Sequence, residues 1–248
     1  MTSVLLLAAV AAFVGLLIGT VGVGGVLMVS FLALFGGLTI HQAAATSLFT
    51  FLFTGILGTW LYQRRGSIDW RITIPVCATA LAFGLVGAAV AAIIDPRPLA
   101  IIIALIIILA GCYVFLPQRP TAQARNGRGR RERLLLGFVG GVSGFGSGFS
   151  GAGGPLFSVP LMVILRYAPL TAVATSQVLQ IVAATSGSIE NLRHGFIDWN
   201  TAAVVTVFEL LGVIVGVRLA HIASAIALRR LAGALCVITG ALLLVRTL

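Results

Sequence analysis

The chain has 248 residues, of which 59% are hydrophobic and only 9% charged, with a formal net charge of +10. A soluble domain carries roughly 25% charged residues, so this composition excludes a water-soluble globular protein and points to a polytopic membrane protein built from helices. The positive charge, which in a soluble chain would suggest nucleic acid, is accounted for here by loops beside membrane spans, and no nucleic-acid partner is expected.

The first apolar run, MTSVLLLAAVAAFVGLLIG, lacks the positive start of a secretory signal and is expected to be a retained helix. Further runs of about the ~20 residues that cross a bilayer recur along the chain. The expected segments are 3–20, 24–36, 43–63, 72–94 and 98–116, then 134–150, 153–167, 171–191, 201–220 and 226–246. Between the two sets lies PQRPTAQARNGRGRRER, residues 117–133, holding six of the sixteen arginines. It reads as a solvated cytoplasmic linker able to touch anionic lipid headgroups. Residues 1–116 and 134–248 are therefore taken as two membrane units. Cys77, Cys112 and Cys236 stand singly in apolar runs, without metal-type spacing, and read as buried small hydrophobes.

The two units are copies. A shift of 129 residues places Gly15, Gly19, Gly22, Gly24, Gly25 and Leu27 on Gly144, Gly148, Gly151, Gly153, Gly154 and Leu156. The register persists without a gap through Ala43, Ala45, Thr46 and Ser47 on Ala172, Ala174, Thr175 and Ser176, and through Arg64, Gly66, Ile68, Asp69 and Trp70 on Arg193, Gly195, Ile197, Asp198 and Trp199. Later still, Gly87 meets Gly216 and Gly111 meets Gly240. An odd number of crossings per copy inverts the second copy, and an even number leaves it parallel. With the linker inside, five crossings keep Arg64, Arg65, Arg71, Arg166, Arg218, Arg229 and Arg230 inside, in line with the positive-inside rule. The expectation is an inverted repeat of about ten segments, the alternative being eight crossings with broken or re-entrant helices.

The glycine-rich stretches carry the functional reading. GTVGVGGVL at 19–27 and GFGSGFSGAGGPL at 145–157 each end one segment and open a short one. Broken helices at membrane depth survive only inside a bundle or beside a wet cavity, and such breaks at matching places in two halves point to a transporter's substrate site. Helix N-termini offer unpaired N–H groups and a positive dipole end to anions, and Pro155 suits a first turn. The predicted anion cradle therefore comprises Gly22, Gly24, Gly25, Gly151, Gly153, Gly154 and Pro155. Thr46, Ser47, Thr50, Thr175, Ser176, Gln177 and Gln180 complete it, 46/50 and 176/180 sharing helix faces. The plainer reading of these small residues, and of Gly87, Gly216, Gly111 and Gly240, is close helix–helix contact.

Glu209 falls inside a span, opposite Ala80 in the first copy, and is either a proton-coupling group or the lining of a polar crevice. Glu190 is expected to pair locally with Arg193 or His194. Asp69-Trp70 and Asp198-Trp199 read as N-caps with interfacial aromatic anchors, and His41 and His221 as loop residues without a role.

Two G-x-G-G turns, each leading a hydrophobic helix and followed by an Ala-Thr-Ser helix and a Gly-x-Ile-Asp-Trp loop, resemble the sulfite exporter TauE/SafE family of bacterial membrane permeases, also known as the toluenesulfonate uptake permease family. The resemblance spans the chain outside the linker, although Val26 stands where the second copy has Pro155. It implies an inner-membrane permease without a cofactor that moves small sulfur-containing or organic anions, such as sulfite, sulfonates or sulfoacetate; export by alternating access, the two halves rocking about a midplane anion site, is expected from the paired repeat. A passive anion channel on the same scaffold is the second reading. A third, an intramembrane serine protease, rests on GVSG at 141–144 and GFSG at 148–151 and requires a histidine partner among His41, His194 and His221. The dinucleotide-like GSGFSG at 146–151 has no strand before it and no acid about 20 residues on.

Overall fold

The computed structural model describes residues 2–22, 24–114, 129–194, 196–222 and 226–247, so the body of the 117–133 linker lies outside it. The protein is an all-helical polytopic membrane protein of ten helices among the described residues. The first set is α1 (Thr2–Val21), α2 (Gly25–Leu34), α3 (Ile40–Arg64), α4 (Trp70–Ile93) and α5 (Pro96–Val114). The second is α6 (Arg130–Ser150), α7 (Pro155–Ile164), α8 (Pro169–Arg193), α9 (Trp199–Ile222) and α10 (Ile226–Thr247). Three stretches among the described residues, Ile40–Arg64, Trp70–Ile93 and Trp199–His221, are long and apolar enough to cross a bilayer by themselves.

Local sequence sets the boundaries. Thr39 opens α3 with a reciprocal capping box to Gln42. Asp69 accepts from Arg71 N at 3.0 Å and Asp198 from Thr201 N at 2.8 Å, so both Asp-Trp pairs cap a helix and leave the adjoining tryptophan exposed. Three expectations need correction. Arg130, Arg131 and Arg133 are not in a loop: Gly129 caps α6, whose first turn carries these arginines beyond the apolar stretch. His41 and His221 lie in the terminal turns of α3 and α9. Cys77 is half-buried against the core and Cys112 is exposed, where an apolar solvent is as good an environment as a core.

The helices interlock across the two halves. α1 packs on α9 and α4 on α6, while α3 meets α8 and α5 meets α10. Glycines make these contacts possible. A Cβ on Gly140, Gly144 or Gly148 of α6 would overlap the backbone carbonyl of Val76, Ala80 or Gly84, one helical turn apart each time. Gly212 and Gly216 of α9 press likewise on the carbonyls of Ala12 and Leu16. Gly87 and Gly216 thus serve as close-contact residues. Outside, large apolar side chains such as Ile74, Phe83, Leu109 and Val207 stand exposed, while the interior is rich in Gly, Ala, Ser and Thr.

These contacts also fix directions. Gly140, Gly144 and Gly148 climb α4 in step, so α6 and α4 run the same way; α1 and α9 do so too. Gly58 meets Gln177, Gly55 meets Ile181 and Leu48 meets Gly187, so α3 and α8 run oppositely. Both termini of the α6–α7 unit share one end of the bundle, because Tyr167, just after α7, donates to Glu132 in the first turn of α6 at 3.0 Å. That end also holds the α3–α4 junction, whose Thr73 hydroxyl lies 3.1 Å from that of Thr175 near the start of α8, and the C-terminus of α9, where Ser67 Oγ and His221 Nε2 are 3.1 Å apart. At the opposite end, α2 finishes against α10, where Arg246 donates to the Leu34 carbonyl, and α3 begins beside the C-terminus of α4. With only ten residues, about 15 Å each, α2 and α7 cover half a bilayer. The shape is two hairpins dipping in from opposite ends.

Candidate functional site

The two hairpin tips meet. Gly22 closes α1 with φ +73°, and Gly151 closes α6 with φ +66°, a left-handed cap whose N–H reaches the Ser147 carbonyl at 2.9 Å. Gly153 follows at φ +84°. Only glycine takes these angles without strain. Gly24 and Gly154 are the N-caps of α2 and α7, and Pro155 is the first residue of α7. The tips touch directly, since a Cβ on Gly25 would overlap the Ala152 carbonyl and one on Gly22 would sit 3.3 Å from Pro155 Cβ. All seven predicted cradle residues are therefore brought into one place, and all are buried.

Hydrogen-bond accounting at this crossing is incomplete. Leu27 N bonds Gly24 O, and Phe157 N and Ser158 N bond Gly154 O. Among the described residues, the N–H groups of Gly24, Gly25 and Val26, and those of Gly153, Gly154 and Leu156, have no backbone or side-chain acceptor. A buried N–H left unmade costs about 1–3 kcal/mol, so two helix N-termini converge here with their donors unanswered.

The predicted polar side chains divide into two groups. Ser176 Oγ would be 3.3 Å from a Cβ on Gly22 and so reaches the tips, although it also donates to the Val173 carbonyl at 2.7 Å; Ser47 Oγ, its equivalent in the first half, is fully buried and has no partner among the described residues. The others are tied to structure. Thr46 Oγ1 accepts from Asp198 N at 3.0 Å, Thr175 bonds Thr73, and Thr50 donates to the Ser47 carbonyl at 2.9 Å. Gln177 Nε2 donates to Ile18 O at 3.1 Å, and Gln180 Nε2 to Phe51 O at 3.1 Å and Thr54 Oγ1 at 2.8 Å. The glutamine amides thus stitch the halves together and leave only their carbonyl oxygens unpartnered.

Phe51 escapes the sequence reading. Its ring lies against both tips, 2.8 Å from a Cβ on Gly25 and 3.3 Å from one on Gly153. The available signal is the 129-residue shift, which pairs Phe51 with Gln180 in helices that otherwise match. At the linker end of the bundle, Arg65, Ser67, Asp69, Trp70, Arg71 and Thr171 line an open basin of about 760 Å³. Arg65 there also donates to Val217 O at 3.3 Å, and Tyr62 donates to Gly19 O at 2.8 Å, just before the first tip.

The histidines stand elsewhere. His41 Nε2 lies 3.3 Å from Ala91 O, His194 Nδ1 3.0 Å from Glu190 O, and His221 contacts Ser67 and Val217. Glu190 also pairs with Arg193 at 3.2 Å, as expected. Ser150 donates to Gly146 O, and none of these histidine contacts involves Ser143 or Ser150.

The profile of a family described as sulfite exporter TauE/SafE matches residues 7–243. The chain is 26% identical to the probable membrane transporter protein YdhB of Bacillus subtilis (strain 168), across 87% of this chain and 89% of the relative. It is 25% identical to the probable membrane transporter protein YunE of the same strain, across 75% and 78%. A probable membrane transporter protein of Xylella fastidiosa (strain 9a5c) is also 25% identical, across 84% and 81%. No solved structure matches the chain.

Proposed function

The chain belongs to the sulfite exporter TauE/SafE family, a membrane permease family, and on that premise we propose that it exports a small sulfur-containing or organic oxyanion bound where the two glycine tips cross. The observation that carries this reading is the set of six N–H groups of buried residues that find no acceptor among the described residues at the two converging helix N-termini. A sulfite or sulfonate group is compact, negative and rich in acceptors, and would answer several of them at once. Ser47 and Ser176 add hydroxyls, and the Phe51 ring gives an apolar wall suited to the organic part of a sulfonate or sulfoacetate.

The opposed directions of α3 and α8, equivalent under the 129-residue shift, support an inverted repeat. In such a fold two halves rock about a site at mid-depth. Enclosure of the tips then represents an occluded state, with the Arg65–Arg71 basin as the inward mouth, in the bacterial inner membrane with the linker in the cytoplasm. Thermal stabilisation of the purified protein tests the substrate class, because a ligand of the native state raises its apparent stability. Sulfite, sulfoacetate or a simple sulfonate is expected to stabilise more than sulfate or simple carboxylates; a response to cations alone overturns the anion assignment. Flux that fails to saturate with substrate would favour a channel.

A further inference from the structure

Five of the six acidic residues lie at helix ends: Asp69 and Asp198 are N-caps, Asp95 precedes α5, Glu132 is in the first turn of α6 and Glu190 in the last turn of α8. Glu209 alone sits in mid-helix, fully buried, with neither carboxylate oxygen hydrogen-bonded within the usual limits. Thr50 of α3 approaches it while donating to the Ser47 carbonyl.

Packing does not require this carboxyl. Gly15 of α1 presses on the Glu209 carbonyl as Gly144 of α6 presses on that of Ala80, the equivalent residue in the first half. Position 209 is thus a landing place for a glycine, and a methyl group serves at its twin. The neighbour changes too: Thr50 corresponds to Leu179, so a polar pair in one half replaces a fully buried apolar pair in the other. Burying an unpaired carboxyl opposes folding, and nothing at the twin site suggests that the scaffold benefits from it.

We propose that Glu209 binds the proton that moves together with the transported anion. This rests on the permease reading above. α9 packs against α1 and α3. No ionisable side chain occurs in α1, and those of α3 and α9 are engaged elsewhere. His41 lies by Ala91, Tyr62 stacks on His221, Arg64 covers Trp60, and Arg218 is exposed at the end of α9. With no counter-charge against it among the described residues, burial disfavours the charged form of this carboxyl. Gly15, against Glu209, is seven residues from Gly22, roughly 10 Å along α1. Two negative charges at about that distance oppose each other by on the order of tenfold in an equilibrium constant at an effective permittivity near 20. An anion at the tips therefore favours the protonated acid, and by reciprocity the protonated acid favours the anion. The proton is taken from water on the side where the anion enters and returned where it leaves.

The test uses the full chain in sealed liposomes, with a pH-sensitive dye inside and the anion that gives the largest thermal stabilisation. Wild type is expected to move protons in the direction of an imposed anion gradient, and its flux to depend on an imposed pH difference. Glu209→Gln, which mimics the neutral acid, should keep anion exchange at equal pH while losing both effects. Anion flux in wild type without proton movement overturns the proposal whether or not the variant folds, as does proton movement retained in a Glu209→Gln protein that melts like wild type. Absence of any anion flux in wild type instead removes the permease reading, and this inference with it.

Discussion

Gly25 and Ala152 are in backbone contact across the two halves, with the Cα of Gly25 so near the Ala152 carbonyl that no side chain fits between them. The obstacle is main chain, backed by the Phe51 ring, and cannot swing away. Gly154 is also crowded, but by the flexible end of Leu179. Overpacking costs typically about 1–3 kcal/mol, less where neighbours can yield. Gly25→Ala is therefore expected to lower the melting temperature and reduce anion flux by about tenfold or more, whereas Gly154→Ala should lose about two- to threefold. Equal losses measured by substrate uptake would mean that the tip contact does not control the site.

The α3–α8 seam offers a second test. Gln180 Nε2 bonds both Phe51 O and Thr54 Oγ1 in a fully buried place, holding Phe51 against the tips from behind. Side-chain hydrogen bonds between membrane helices average about 0.6 kcal/mol in double-mutant cycles, with a maximum near ~1.7. A cycle of Thr54→Val and Gln180→Leu, followed by unfolding in mixed micelles, is expected to give a coupling of about that average. Additive effects would assign Gln180 to its Phe51 bond alone.

Tyr167 and Glu132, with Ser67 and His221, place the chain's junctions at one end, and the arginines follow: Arg64, Arg65, Arg71, Arg130, Arg131, Arg133 and Arg166 lie there, whereas Arg97, Arg193 and Arg246 lie at the other. By the positive-inside rule the first end is expected to be cytoplasmic. In a cysteine-free background, Gly66→Cys and Thr171→Cys are expected to react with a membrane-impermeant maleimide only in inside-out vesicles, and Gly37→Cys only in right-side-out cells. Labelling of Gly37→Cys and Gly66→Cys from the same side would refute the opposed hairpins.

Helix count, the two short helices and the Asp caps were legible because each depends on local chemistry: an apolar run, a Gly-Pro break, a side chain beside its own N–H groups. Glycine identity at matching places gave the tips for the same reason, since left-handed φ at Gly22 and Gly151 strongly favours glycine. The partners of Gln177 and Gln180 were not legible. They lie 159 and 129 residues away, and a lone sequence does not say whether a buried amide meets a ligand or a carbonyl. Phe51 was hidden because an aromatic in an apolar helix carries no mark of its own. The α6 start was misplaced because arginines that extend a helix into water look like loop.

The inward basin leads to a prediction about charge. Arg71 lies in its rim near Arg65, and among the described residues its guanidinium has no hydrogen bond or ion pair, whereas Arg65 donates to Val217 O. The equivalent of Arg71 at the other end is Asn200, and that of Arg65 is His194, so this basin carries more positive charge than the matching positions at the other end. A basin of one sign concentrates counter-ions and speeds their entry, an effect that fades as salt shortens the Debye length from about 30 Å at 0.01 M to about 8 Å at 0.15 M. Arg71→Gln should therefore raise KM for the anion on the cytoplasmic side several-fold at low ionic strength, with kcat little changed, and the difference from wild type should shrink at physiological salt. Because the matching positions at the other end, His194 and Asn200, lack this charge, KM measured from that side should be unaffected at either salt concentration. A kcat defect that persists at high salt would move Arg71 from the approach to the transport step itself.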